Sequence, residues 1–198
     1  MKKEDVKYGA YVQILKEELV PAMAAAKARE VLGEKPDKVR IGASGSIIKN
    51  VKSVIVPNTD HLKGIPAAAA AGIIAGRPEK ELEVIADVSM TEIEEMKDFL
   101  QNTEITVEYV DNGITFDIIV TESKGESSAT VRIANYHTNI VLIEKNGKIL
   151  MEEKVEGEKE EGLTDRSLLN MKDILDFART VDVEDVKEVI GRQIAYNT

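Results

Sequence analysis

Three short clusters combine hydroxyls, amides and a cation or an imidazole at the joints between apolar runs, where a rigid scaffold usually presents its binding groups. The first is Ser44-Gly45-Ser46-Ile47-Ile48-Lys49-Asn50. A turn of small residues exposes backbone N–H groups, and with two hydroxyls, an ammonium and an amide it suits an amino-acid carboxylate. Spacing alone equally describes an ordinary strand-to-strand turn, and the balance favours the turn. The second is Asn58-Thr59-Asp60-His61-Leu62-Lys63, which runs into Gly64-Ile65-Pro66 and an alanine-rich run. Free N–H groups at a helix start attract anions, so Asn58, Thr59 and Lys63 are candidates to grip a carboxylate; capping is the competing and favoured reading. The third is Asn135-Tyr136-His137-Thr138-Asn139, between two apolar segments. A histidine flanked by Thr138 and Asn139 can be held in one tautomer, as general-base or substrate-orienting work requires, although a histidine satisfied by turn backbone is the commoner case.

Other chemistries find no footing. The 198 residues include no cysteine, which excludes disulfides, thiol nucleophiles and thiolate-held clusters on this chain, and two histidines are too few for a convincing zinc site. No Walker pattern occurs, and nothing marks any serine as a nucleophile. A formal charge of −10 disfavours nucleic acid, whose phosphates are bound by clustered Lys and Arg. No stretch approaches the roughly 20 apolar residues of a membrane span, and Met1-Lys2-Lys3-Glu4-Asp5 does not open a signal peptide, so a cytoplasmic protein is expected.

The elements that would position these clusters follow from periodicity. Tyr8, Tyr11, Val12, Leu15 and Leu19 predict an amphipathic helix from Lys7 to about Leu19; Pro21 then predicts a second or kinked helix over Ala22–Leu32, ended by Gly33. Val39-Arg40-Ile41 and Val54-Ile55-Val56 read as short strands on either side of the turn Ala43–Ser46. Ala67–Ile74 predicts a helix with Pro66 in its first turn, Leu82, Ile85 and Ala86 a further helix, and Ser89-Met90-Thr91-Glu92 a capping box. From Glu104 the period becomes two: Ile105–Tyr109, a turn at Asp111-Asn112-Gly113, and a return over Phe116–Val120 predict a hairpin. Asn146-Gly147, between Ile140–Lys145 and Lys148–Met151, is a type I′ turn signal and predicts another. Glu152–Glu161 reads as a solvated connector, and Ser167–Val181 and Val183–Ile194 as closing helices. The expected fold is α+β, with an antiparallel sheet of about five strands packed on several helices. It forms one unit over 1–198: helical and loop-rich to about 102, sheet over 103–154, helices over 164–196.

In this order, the pieces Tyr11–Ala22, Ser44–Asn50, Val56-Pro57-Asn58-Thr59, Gly64–Gly72 and His137-Thr138-Asn139-Ile140-Val141 resemble the L-cysteine desulfidase family, relatives of the iron–sulfur L-serine dehydratases. The resemblance spans essentially this whole chain but only the amino-terminal half of such proteins. It implies α,β-elimination of L-cysteine or L-serine to pyruvate and ammonia, with sulfide or water, on a four-iron four-sulfur cluster whose open iron acts as Lewis acid. It further implies that Ser44, Ser46, Lys49, Asn50, Asn58 and Thr59 contact or shape the substrate site, that Thr138 and Asn139 line it, and that His137 is the candidate catalytic residue.

The family's Gly-Cys-Thr-Glu-Pro segment, which holds a cluster ligand, is absent between Ala22 and Ala24; Ser46 stands where relatives often have Asn, and Asn58 where they often have Gly. The implied partner is a cysteine-bearing half or subunit. The alternative is a non-catalytic amino-acid-binding or assembly module, with hairpin edges able to pair in a homodimer.

Overall fold

The computed structural model describes residues 11–155 and 170–197, which fall into two compact units, one on either side of the boundary between Glu158 and Lys159. The expected helical start at 7–10, most of the connector and residues 167–169 lie outside the described residues.

The first unit is α+β, as the sequence predicts. Helix α1 (Tyr11–Leu32) leads to strand β1 (Lys38–Ala43), α2 (Gly45–Val51), α3 (Gly64–Ala75), a 3-10 turn (Pro78–Glu83) and α4 (Met90–Asn102). Strands β2 (Glu104–Tyr109), β3 (Asp117–Lys124), β4 (Ser127–Ala134), β5 (Ile140–Lys145) and β6 (Lys148–Glu152) complete it. The six strands form one sheet in the order β2-β1-β3-β4-β5-β6. All neighbours are antiparallel except β1 and β2, which run parallel.

Four expectations are corrected. Of the two readings at Pro21, a second helix is excluded: α1 is continuous with Pro21 inside it. Proline there removes one hydrogen bond, at a cost of about 3 kcal/mol, but Val20 and Ala22–Ala26 are all buried, because α1 packs on β3 and β4 and is also contacted by α3. The expected hairpin across Asp111–Gly113 does not form, because β1 lies between β2 and β3 and pairs with both. Residues 54–56 make no strand, only an isolated bridge from Ile55 to Lys63. The Leu82–Ala86 helix is instead the preceding 3-10 turn, broken at Glu81, whose φ is 51°.

Other signals are met as read. Asn146 and Gly147 have φ of 52° and 77°, the positive pair that a type I′ hairpin needs. Ser89 and Glu92 form the reciprocal capping box at the start of α4, a cap whose loss costs about 1 kcal/mol. One sheet face is the core face: Val39, Ile41, Ala43, Ile118, Val120, Val131 and Ile133 are buried on it, as period-two alternation requires.

The second unit contains α5 (Met171–Thr180) and α6 (Val183–Asn197). Asn170 caps α5 by accepting from the Asp173 N–H at 3.0 Å. No helix among the described residues is long and apolar enough to cross a membrane.

Candidate functional site

Ser44 follows directly on β1 and is the N-cap position of α2, so it is not the centre of a strand-to-strand turn. Its backbone N–H continues the β1–β3 ladder by donating to the Asp117 carbonyl at 2.9 Å. The buried Ser44 Oγ donates to the Thr115 carbonyl at 2.7 Å. On the other side of the same short stretch, the Asn135 N–H donates to the Phe116 carbonyl at 2.9 Å, and the His137 ring lies against the Phe116 ring with centroids 4.6 Å apart and tilted by 50°. The first and third clusters therefore meet at residues 115–117, the entry to β3, which neither cluster contains.

An open depression of about 320 Å³ lies beside this junction, lined among others by Ser44, Gly45, Ser46, Tyr109, Asp111 and Thr115. Ser46 is half-buried and Lys49 exposed, while Asn50 donates to Glu17 of α1 at 2.6 Å. His137, Thr138 and Asn139 do not line the depression. Thr138 is exposed, Asn139 donates its amide to the Ala134 carbonyl at 3.0 Å, and the His137 Nε2 is buried. That nitrogen therefore has no contact with solvent in this arrangement.

The second cluster is spent on local structure. Asn58, at a φ of 59°, donates to the carbonyl of Ile85 at 3.0 Å, and the buried Thr59 hydroxyl donates to the Val56 carbonyl at 2.7 Å. Asp60 pairs with Lys97 of α4 at 3.0 Å, and chiefly that hydrogen bond holds its carboxyl below the usual range.

Sequence reading missed three carboxylates. Asp117 is 1 % exposed and takes both oxygens to Arg132, each bond 2.9 Å long, with the Asn112 amide as a further donor. A buried acid two residues after Thr115 is detectable only once β3 and β4 are paired in register. Glu122 lies on the core face of β3, fully buried with neither oxygen hydrogen-bonded, and burial pushes its carboxyl up to about 8 against the opposing pull of Arg29. Glu18 on α1 is also buried and its carboxyl is raised for the same reason. The period-two pattern of β3 does mark position 122 as inward, and that was the available signal. Among the described residues no group of three or more His, Asp or Glu side chains converges on a metal position.

The chain is 51% identical to a UPF0597 protein of Desulfitobacterium hafniense over 211 aligned residues, which cover all of this chain and 48% of that protein. It is 43% identical to a UPF0597 protein of Lachnoclostridium phytofermentans over 201 residues (96% of this chain, 48% of the relative). A UPF0597 protein of Treponema denticola is 42% identical over 202 residues (96% of this chain, 47% of the relative). No family model matches the chain, and no solved structure does. The chain spans about half the length of the curated relatives it matches.

Proposed function

We propose that this chain is the substrate-binding half of an α,β-eliminating amino-acid lyase of the L-cysteine desulfidase and L-serine dehydratase type, working in the cytoplasm with a cysteine-bearing half or partner subunit. The observation that carries the reading is the meeting of the Ser44 and His137 clusters on residues 115–117, since in sequence they are more than ninety residues apart. The chain matches about half of each longer relative.

The residues present do not fit an iron–sulfur cluster. The chain has no thiolate donor, and no set of other ligands converges among the described residues. Its own part is to bind and orient. The Ser46 hydroxyl, in the lining of the depression, is a donor for an amino-acid carboxylate, and the exposed Lys49 adds a cation on the same helix, whereas the Asn50 amide is held by Glu17 and shapes the helix. Thr59 holds the loop that precedes α3, and Asn58 ties it to the carbonyls at 85 and 86. His137, with Nε2 buried, acts as a positioning residue that packs the entry to β3, while Thr138 and Asn139 shape the turn around it. The proton-abstracting base then belongs to the cysteine-bearing half or subunit.

The test is anaerobic reconstitution of the full chain with a cysteine-bearing half, iron and sulfide, assayed for pyruvate from L-cysteine and L-serine. Pyruvate formed only by the combination supports the reading. A folded, cluster-loaded mixture that yields none rejects it.

An amino-acid-binding or assembly module without catalysis is the second reading, favoured by the internal use of Asn58 and Thr59. Calorimetry with L-serine and L-cysteine separates the two: binding by the chain alone, with no pyruvate after reconstitution, selects the module.

A further inference from the structure

Of the side chains that line the depression beside Ser44, Asp111 alone carries a charge. Its carboxylate makes no hydrogen bond or ion pair among the described residues. The loop that carries it is nonetheless held from both ends. On one side Tyr109 closes β2 in register with Ala43, and the Val110 N–H donates to the Ala43 carbonyl at 2.9 Å. On the other, the Asn112 side chain accepts from the Ile114 N–H at 3.1 Å and gives its amide to the buried Asp117. Asp111 thus sits between two anchored neighbours. The end of β2 also meets the start of α2: the Tyr109 ring lies by Gly45, where an added Cβ would stand 3.4 Å from Tyr109 Cε2. The wall that carries Asp111 and the wall that carries Ser46 therefore belong to one junction.

A carboxylate with no cation beside it attracts a cationic group and repels an anionic one. The hydroxyl of Ser46 and the ammonium of Lys49, by contrast, suit a carboxylate. A ligand that is only an anion satisfies the α2 wall and is opposed by Asp111; a zwitterion satisfies both. We propose that Asp111 is the specificity-determining residue of the depression, receiving the α-ammonium of a free amino acid while Ser46 receives its carboxylate. This rests on the reading above that the depression binds an amino acid, and adds which acids it disfavours. Hydroxy and keto acids bring no ammonium, and an N-acylated amino acid brings a neutral amide nitrogen in its place. Asp111 is exposed, so water and salt screen the pair and the discrimination is several-fold rather than absolute.

The test is calorimetric titration of the full chain, at low salt, with L-serine and with L-glycerate, in which a hydroxyl replaces the ammonium. Asp111→Asn is the variant; the side chain is exposed and has no hydrogen bond to lose, so the urea midpoint should not move. The wild type is expected to favour L-serine over L-glycerate. Asp111→Asn should weaken L-serine by roughly fivefold and strengthen L-glycerate, because a like charge has been removed. Opposite changes in the two ligands cannot come from a distorted fold, which would weaken both. If the wild type binds L-serine and Lys49→Ala weakens it, but Asp111→Asn leaves the ratio of the two affinities unchanged, this proposal is overturned and the reading of the depression stands. A parallel loss of both ligands in Asp111→Asn also overturns it, since Asp111 would then only shape the loop. A folded wild-type chain that binds neither ligand overturns both the proposal and the reading on which it rests.

Discussion

Gly72 of α3 sits against Ala22 of α1 so closely that a Cβ added to the glycine would lie 2.0 Å from the Ala22 carbonyl oxygen. One turn later, a Cβ on Gly76 would meet Ala26 Cβ at 2.6 Å. Small residues at these points let two buried helices approach with their backbones nearly touching. The atom facing Gly72 is backbone, so no side-chain rotation relieves the contact. Gly72→Ala is therefore expected to destabilise the first unit by about 3 kcal/mol or more, seen as a lower urea midpoint. Gly191→Ala on α6, where nothing lies within 4 Å, is the control; it should instead stabilise its helix by up to about 1 kcal/mol. Equal effects would refute the close-approach account.

Glu122 predicts a stability that falls as the pH rises. Its carboxyl is raised by burial to about 8 from an ordinary 4.5, and the charged group facing it, Arg29 of α1, does not hydrogen-bond to it. Its neighbours in register, Val39 and Ala129, carry no charge. Below 4.5 both folded and unfolded chains hold the proton, so the folded state is favoured in full. Between 4.5 and 8 the unfolded chain releases it while the folded chain retains it, and stability declines; above 8 both are ionised and the loss is complete. The whole decline is on the order of 5 kcal/mol. Glu122→Gln should flatten the part of the urea-midpoint profile between pH 5 and 8. An unchanged slope would show that Glu122 is not the titrating group.

What was legible in the sequence follows the range of the interactions. Local signals were readable: Ser89 and Glu92 close a capping box within one turn, and Asn146-Gly147 fixes its hairpin by backbone conformation alone. Non-local pairing was not. Tyr109 and Phe116 flank a turn that reads as a hairpin, but the buried strand Val39-Ile41-Ala43 inserts between them, from about 70 residues upstream. No periodicity in residues 104–120 carries that information. Pro21 fails as a helix breaker for a related reason, since the burial that holds α1 together is supplied by α3, β3 and β4. At the candidate site, residue types located Ser44 and His137, but the stretch at 115–117 that joins them looked like the start of a strand and nothing more.

The Asp117–Arg132 pair predicts a sharp asymmetry between partial and full removal. Asp117 is almost fully buried and also receives the Asn112 amide, whereas Arg132 keeps some exposure. Asp117→Ala strands a half-buried guanidinium and releases the 111–117 loop, at an expected cost of about 3 kcal/mol. Replacing both partners, as Asp117→Ala with Arg132→Met, should recover a good part of that loss, because no uncompensated charge remains. A double-mutant cycle by urea denaturation measures the coupling; additive losses would mean the pair contributes nothing beyond packing.

The site reading makes its own demand on Ser46, Lys49 and Thr59, which it treats differently. Ser46 lines the depression and Lys49 is exposed on the same helix, and neither side chain makes a hydrogen bond among the described residues. Ser46→Ala and Lys49→Ala should therefore leave the urea midpoint within about 0.5 kcal/mol of wild type. If the depression takes an amino-acid carboxylate, each should weaken L-serine or L-cysteine binding, by roughly tenfold for the lost ammonium. Thr59, buried and bonded to the Val56 carbonyl, behaves in the opposite way. Thr59→Val keeps the shape but removes the donor, costing about 1 kcal/mol of stability and changing affinity only through the folded fraction. Calorimetry on the three variants, read beside their denaturation curves, decides the matter. Should Lys49→Ala bind as wild type does, the first cluster is a structural helix start and the carboxylate must be gripped elsewhere.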